Sequence, residues 1–389
     1  MTKILLFCHE WMGWRGGAEH YIATLSTQLR KIGLRTELVY LNTHADCEGY
    51  AACFDRNQQL NTESELIAYC TDNPPTWMYL HRWSAKLFVK PQLRSIQKLI
   101  MLHDAGLFCP RQHKYTLWTE RTCEHPMGPR CALHCAQVAA LPGRHQPNSA
   151  FQRKQEELRA LQDADTIVVG SHYMKQMLHL HGVDTQNTRV LPLAFSDLFF
   201  KPQHVSPSTS TQAQSQEPKT STPRSSSSIQ SQGSPVHENQ HKPFQLLFVG
   251  SMLRSKGIDL LLFALQQLDF DWECRIVGHG AQAQTFKFMA KWMGFGQGQR
   301  QNQQVVFEGS VDRSDLPQRY TAADLLIFPS RTPESFGLVG AEALACGTPV
   351  VAFDVGGISE WLHHRQHGWL VPRANASMLA DAIRTLPAD

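Results

Sequence analysis

The sequence lacks a long apolar segment and lacks a charge excess of either sign. No run of about 18 apolar residues occurs, and the apolar start at 4–7 is followed at once by the polar Cys8, His9 and Glu10. A membrane-spanning helix and a secretory signal are therefore not expected, and we predict a cytoplasmic protein. The net charge of +3 is too small for the broad positive field that binds nucleic acid, so nucleic acid is not an expected partner.

Residues 203–242 contain few apolar side chains. This segment is mainly Ser, Thr, Gln and Pro, with a serine run at 225–228. A chain with so little apolar surface to bury cannot offset the entropy that ordering would remove, so we predict a disordered linker. The linker would separate an N-terminal domain, 1–202, from a C-terminal domain, 243–389. Two domains also fit a chain of 389 residues, because single cores usually stop growing at about 300 residues.

Short apolar runs alternate with helical patterns on both sides of the linker, which predicts an α/β fold. One helical face carries Ile22, Leu25, Leu29 and Ile32. Predicted strands lie at 5–7, 37–41, 77–80, 99–102 and 166–169, and then at 246–249, 274–277, 305–307, 325–328 and 350–353. This alternation predicts two Rossmann-like, doubly wound parallel sheets, one per domain, facing each other across a cleft.

Ligands of such sheets bind beyond the carboxyl ends of the strands, so the loops there hold the candidate site residues. In the N-terminal domain these are Gly16 and Gly17, where backbone amides at a helix start favour a phosphate. His103 follows the fourth predicted strand and can donate to a sugar hydroxyl. A tight turn without ligand and a structural histidine are equally compatible with these residues.

In the C-terminal domain, two cations follow the first predicted strand. Arg254 and Lys256 precede a helix that begins near Ile258, and together they can neutralise a diphosphate. A solvated surface pair is the alternative. A later loop with Gly356 and Gly357 again permits close approach of backbone to a ligand, or forms a plain turn into a helix.

The segment 329–351 carries the densest pattern. Phe336, Gly337 and Leu338 open a predicted helix whose backbone amides favour an anion. Glu334 and Glu342 are eight residues apart, so both can face one elongated ligand, and carboxylates accept hydrogen bonds from vicinal hydroxyls. Two surface acids would show the same spacing.

These residues resemble family four of the glycosyltransferases, the retaining group 1 enzymes of the GT-B fold. The resemblance is strongest over 246–386 and looser over 1–200. It implies that Lys256 binds the donor diphosphate, that Glu334 contacts the donor hexose and that Glu342 contacts the ribose. It also implies that Gly16 and Gly17 lie against the diphosphate and that His103 lies near the donor sugar.

Two features depart from the family pattern. Ser251 stands where many members have an arginine, so Arg254 is expected to supply the missing charge, or diphosphate binding is weaker. Members usually continue through further helices after the one predicted here from about Ala376, which leaves a fragment or a minimal version as the two interpretations.

The resemblance implies transfer of a hexose from a nucleotide-diphosphate sugar to a saccharide or lipid-linked acceptor in cell-surface glycan synthesis. Peripheral association with the inner membrane face would then be expected. No further cofactor is expected, since no Asp-x-Asp motif closes a strand. The alternatives are a catalytically silent sugar-nucleotide-binding protein and a sugar-nucleotide epimerase.

Cys109, Cys123, Cys131 and Cys135 fall within one loop-rich stretch. Four thiolates can hold a structural zinc tetrahedrally, although the paired C-x2-C spacing of common zinc sites is missing. A structural zinc and unligated thiols therefore remain the two interpretations.

Overall fold

Two parallel sheets organise the part of the chain that the computed structural model describes. That part comprises residues 3–14, 16–44, 47, 49–112, 114–116, 122–128, 131, 147–193, 196–200, 242–295, 302–372 and 374–385. The predicted linker, 203–242, lies outside these residues except for Lys242, so its disorder stays a prediction.

The first sheet has seven strands in the order β3-β2-β1-β4-β5-β6-β7, and all neighbours run parallel. Its strands are β1 (Ile4–Met12), β2 (Arg35–Thr43), β3 (Arg56–Gln59), β4 (Trp77–His81), β5 (Gln97–Leu102), β6 (Thr166–Val169) and β7 (Thr188–Val190). The described helices of this half are α1 (Gly17–Lys31), α2 (Glu63–Asp72), α3 (Pro147–Ala160) and α4 (His172–Leu180).

The second sheet has six parallel strands in the order β10-β9-β8-β11-β12-β13. Its strands are β8 (Phe244–Val249), β9 (Trp272–Val277), β10 (Gln303–Gly309), β11 (Leu325–Phe328), β12 (Val350–Phe353) and β13 (Gly368–Val371). Its described helices are α5 (Ile258–Leu265), α6 (Ala283–Trp292), α7 (Leu316–Ala322), α8 (Leu338–Ala345) and α9 (Ala376–Arg384). The predicted fold class, two doubly wound parallel-sheet domains, is confirmed.

Every strand predicted from an apolar run is present, but β3, β7 and β13 were not predicted. The sequence of β3 is Arg-Asn-Gln-Gln, and all four residues are exposed at the sheet edge, so no hydrophobic pattern marks it. As a result, the strand before His103 is the fifth strand of the chain and not the fourth.

The two domains share apolar contacts. Phe336 of the C-terminal segment packs in the same cluster as Phe7 and Tyr79 of the first sheet. In the opposite direction, Phe199 precedes the linker but packs in the core of the second sheet. The chain therefore leaves the N-terminal core before residue 199. Within the described part of the chain, no helix has the length and apolar character needed to cross a membrane.

Candidate active site

The loops after β8 and β11 bring Lys256 and Glu334 together at the carboxyl edge of the second sheet. The Lys256 Nζ lies 2.6 Å from Glu334 Oε1, and Ser330 Oγ donates to the same oxygen at 2.7 Å. The side chains of Lys256 and Glu334 are 28% and 15% exposed, so this ion pair remains accessible to a ligand. An ammonium has three donors, so Lys256 can hold Glu334 and still bind an anion.

Close backbone packing fixes this pair. Gly257 has φ 76°, and a Cβ at this position would lie 1.8 Å from the carbonyl oxygen of Pro329. Only glycine therefore lets the Lys256 loop pack against the segment that carries Glu334. The two loops are also joined by a hydrogen bond from the Arg331 amide to the Ser255 carbonyl, at 2.9 Å.

A buried arginine supports the same loops. The Arg331 side chain is 2% exposed and forms a bidentate pair with the carboxylate of Asp259. It also donates to the Arg254 carbonyl at 2.9 Å. The Arg254 side chain is 57% exposed, and its Nε lies 3.4 Å from Asp259 Oδ2. Arg254 is thus a surface cation on a loop that Arg331 holds in place.

Glu342 belongs to a second cluster. Its side chain is 1% exposed, one carboxylate oxygen is paired with Arg313, and the other accepts from the Tyr320 hydroxyl at 3.2 Å. Burial raises the pKa of the Glu342 carboxyl, and the neighbouring Arg313 guanidinium opposes that rise. Glu334 and Glu342 therefore have different partners, and a ribose can reach Glu342 only by displacing Arg313 or Tyr320.

Two helix starts meet between the domains. Gly17 opens α1, and a Cβ placed on it would lie 3.3 Å from Leu338 Cδ1, at the first residue of α8. Gly16 is the N-cap of α1 and Gly337 is the N-cap of α8. Gly337 has φ 89°, which residues with a side chain rarely adopt, and a Cβ there would lie 3.0 Å from Phe328 and 3.3 Å from Trp361. The positive ends of both helix dipoles therefore face the same interdomain space.

His103 lies at the carboxyl end of β5 with a second histidine beside it. The Nε2 of His103 is 2.8 Å from Nδ1 of His81, the last residue of β4. Burial, together with the nearby Arg82 and His9, lowers the pKa of His103 to about 3. His103 is therefore uncharged at neutral pH. The backbone carbonyl of His103 also accepts from Ser335 Oγ at 2.6 Å, which joins the two domains.

A second interdomain contact uses the start of α4. Both carboxylate oxygens of Glu360 accept from backbone amides there, those of His172 and Tyr173, each at 2.8 Å. A carboxylate at a helix N-terminus is stabilised by the helix dipole. The glycine loop that precedes Glu360 is closely packed as well: Gly356 lies against the Glu334 backbone and Gly357 against Ser171. These two glycines thus permit close contact between segments of this chain.

A cleft of about 1270 Å³ lies between α1 and the loop that joins β10 to α7. Its walls include Trp14, His20 and Lys31 on one side and Asp312 and Arg313 on the other. The rings of Trp14 and His20 are stacked with centroids 4.7 Å apart. Arg313 connects this cleft to Glu342, whereas Lys256 and Glu334 do not line it.

Of the predicted residues, the structure places Lys256 and Glu334 in one cluster, with Arg254 on the adjoining loop. Ser330, which donates to Glu334, was not predicted. It places Gly17, Gly337 and His103 at the domain contact, and Glu342 in a cluster of its own. The sequence analysis missed His81 and Arg313. His81 is the last residue of β4, and Arg313 lies in the loop after β10. His103 was selected because it lies at the carboxyl end of a strand, and the same criterion includes both residues.

Three of the four predicted zinc ligands lie around one lysine. Cys109, Cys123 and Cys131 are close enough to the buried Lys114 ammonium to oppose the lowering of its pKa by burial. Cys135 is outside the described residues. Among those that are described, no group of three or more His, Cys, Asp or Glu side chains is arranged to hold a metal ion. The zinc site stays a prediction.

Comparison with known families identifies the C-terminal part of the chain. The family model "Glycosyl transferases group 1" matches residues 231–389, the segment that carries Lys256, Glu334 and Glu342. Residues 231–389 are therefore similar to the group 1 glycosyltransferases. The matched segment includes the whole second sheet and both carboxylates, Glu334 and Glu342.

Relatives with curated names agree with this assignment over a similar length. D-inositol 3-phosphate glycosyltransferase 1 of Catenulispora acidiphila is 37% identical over 161 residues, or 38% of this chain. The matched segment is 37% of that relative's own length. The similarity at this level therefore concerns one domain of a group 1 glycosyltransferase.

Solved structures extend the likeness to the whole fold. Anabaena HepE in complex with UDP and glucose superposes with a TM-score of 0.68 at 18% identity, covering all of this chain and 90% of HepE. Sucrose-phosphate synthase from Thermosynechococcus elongatus gives a TM-score of 0.66 at 20% identity, covering all of this chain and 90% of the synthase. Both comparisons support the GT-B arrangement of the two sheets.

Proposed function

We propose that this chain is a retaining, metal-independent hexosyltransferase that uses a nucleotide-diphosphate sugar. The observation that carries the proposal is the Lys256–Glu334 ion pair, which stays accessible beside the start of α8 where the two domains meet. A cation and a helix N-terminus suit a diphosphate, and an adjacent carboxylate suits the hydroxyls of the attached sugar. HepE is a relative in fold whose complex contains UDP and glucose.

In this proposal the C-terminal domain binds the donor and the N-terminal domain, up to about residue 202, binds the acceptor. Departure of the diphosphate concentrates negative charge on its oxygens. Lys256, Arg254 and the amides near Gly337 stabilise that charge, and groups already oriented need no rearrangement at the moment of reaction. The departing diphosphate takes the proton of the acceptor hydroxyl, so the chain supplies no nucleophile.

Glu342 is proposed to bind the ribose after Arg313 turns away from it. Arg313 lines the cleft and its side chain is 23% exposed, so it has space to move. Replacing Glu342 with alanine should then weaken all nucleotide sugars alike, by about tenfold for a lost hydrogen bond to a charged group. If calorimetric titration shows that Glu342→Ala binds nucleotide sugars with unchanged affinity, Glu342 does not bind the ribose.

The acceptor is proposed to be a saccharide or a lipid-linked glycan of the cell surface, met at the inner face of the membrane. Trp14 offers an aromatic face in the cleft, and the apolar faces of sugars stack on such rings. Binding to vesicles that contain a lipid-linked saccharide, compared with vesicles of the same phospholipid alone, tests this part.

The central test is a transfer assay with a panel of UDP, GDP and ADP hexoses and a panel of saccharide acceptors, followed by mass spectrometry and NMR of the product. We expect a new glycosidic bond with the anomeric configuration of the donor, with and without EDTA. Isomerisation of the sugar nucleotide without an acceptor would instead identify an epimerase. Binding without any product would identify a silent sugar-nucleotide-binding protein.

A further inference from the structure

His81 is a buried histidine with a single hydrogen-bond partner among the described residues. Its side chain is 0% exposed, and Phe7 and Tyr79 pack against its ring with centroids 5.6 and 4.2 Å away. Its Nδ1 is 2.8 Å from His103 Nε2, while its own Nε2 is buried and has no hydrogen-bond partner. Burial, together with His103 and His9, holds the pKa of His81 well below its ordinary value, so the ring is neutral.

Two neutral imidazoles share one proton between them in such a contact, and only two arrangements exist. In the first, His103 Nε2–H donates to His81 Nδ1, and the proton of His81 must then sit on its buried Nε2. In the second, His81 Nδ1–H donates to His103 Nε2, and the buried Nε2 carries only a lone pair. Buried N–H groups without an acceptor are rarer in folded proteins than buried acceptors without a donor.

We propose that His81 is a positioning residue that donates from Nδ1 to His103 and so fixes His103 as the Nδ1–H tautomer. The free ring nitrogen of His103 is then a hydrogen-bond donor. No described residue bonds to His103 Nδ1, and the ring is half-buried at the domain contact, close to the Ser335 hydroxyl that binds the His103 carbonyl.

The consequence for catalysis rests on the proposed function, whereas the tautomer does not. As a donor, His103 can bind an oxygen of the sugar or of the leaving group, and it cannot accept the acceptor's proton. The pair thus agrees with a reaction in which the diphosphate takes that proton. His81 acts indirectly, because it sets the orientation and the tautomer of the His103 ring.

The direct experiment is a long-range 1H–15N spectrum of the full chain labelled with 15N-histidine, in which protonated and bare ring nitrogens have well-separated shifts. The His103 signals are assigned by their loss in His103→Gln. We expect a protonated Nδ1 and a bare Nε2 for His103 at pH 7.5. The opposite pattern would overturn the proposal. If His103→Gln fails to fold, correlations from the ring to the assigned backbone of His103 in the wild type supply the assignment instead.

Two substitutions at His81 test its positioning role. His81→Asn retains an N–H at the place of Nδ1, whereas His81→Leu retains volume and removes the donor. We expect the asparagine variant to keep the Nδ1–H tautomer of His103 and kcat/KM within about twofold, and the leucine variant to lose the single tautomer and about tenfold in kcat. Tyr79→Phe keeps the ring that packs against His81 and removes only the hydroxyl that contacts Tyr21, so it should resemble the wild type.

Retention of the Nδ1–H tautomer in His81→Leu would show that His81 does not position His103. If the tautomer follows the prediction while no donor sugar is turned over by the wild type, the proposed function fails and the His81–His103 assignment stands.

Discussion

The two domains bring different chemistry to their contact. The C-terminal domain presents the ion pair of Lys256 with Glu334, supported by the buried pair of Arg331 with Asp259, whereas the N-terminal domain presents the neutral ring of His103, supported by the buried His81. Charge for the diphosphate would thus come from one side of the cleft, and uncharged hydrogen-bond donors from the other. Substitutions in the two domains should therefore have different effects on stability and activity.

The largest expected effect concerns the buried ion pair of the C-terminal domain. Arg331→Met removes the bidentate partner of the Asp259 carboxylate, which is 13% exposed and keeps only the longer contact with Arg254, and should cost about 3 kcal/mol in the free energy of unfolding. The exposed pair of Lys90 and Glu63 supplies the control, and Lys90→Met should cost about 1 kcal/mol or less. Urea denaturation measures both, and equal losses would mean that Arg331 does not hold the donor loops.

Lys256 should have the next largest effect, on activity and not on stability. Lys256→Met removes the charge opposite the leaving diphosphate and should lower kcat about a hundredfold or more, or about 3 kcal/mol in activation free energy. Lys291, exposed on α6, is the matched control, and Lys291→Met should leave kcat unchanged. A wild-type kcat in Lys256→Met would contradict the proposal that this lysine stabilises the leaving diphosphate.

The neutral histidines of the N-terminal domain should make it sensitive to acid. Burial lowers the pKa of both His20 and His103 to about 3, so the unfolded chain binds their protons first as pH falls below about 6.5. Stability should therefore decrease between pH 6.5 and 3, by roughly 1.4 kcal/mol for each histidine at pH 5.5.

His103→Gln should remove one histidine's share of this loss. Unfolding free energies at pH 7.5 and 5.5 give the comparison. An equal pH dependence in wild type and His103→Gln would contradict a neutral His103.

The smallest effect is expected at the hydrogen bonds between the domains. Glu360→Gln removes the charge that faces the start of α4 and should weaken closure by about 0.3–1 kcal/mol. The donor KM should rise about two- to fivefold with kcat nearly unchanged, and small-angle scattering should show a larger radius. Glu273→Gln, on β9 away from the contact, serves as the control.

The sequence predicted most of this fold because buried parallel strands are continuous apolar runs. Strand β3 was not predicted because all four of its residues are polar and exposed, and β7 was not predicted because it has only three residues. The site was predicted less completely. The Lys256–Glu334 contact joins residues 78 positions apart, and only the resemblance to a family connected them. The spacing of Glu334 and Glu342 does not indicate that the Glu342 carboxylate is bound by two other side chains, those of Arg313 and Tyr320.

The central claim is that Lys256 binds the diphosphate while Glu334 binds the sugar attached to it. Calorimetric titration of the wild type, Lys256→Met and Glu334→Gln with a donor sugar nucleotide, and with the matching nucleoside diphosphate, tests it directly. We predict that Lys256→Met weakens both ligands, whereas Glu334→Gln weakens the sugar nucleotide alone. Equal weakening of both ligands by Glu334→Gln, or no change with Lys256→Met, would contradict the account.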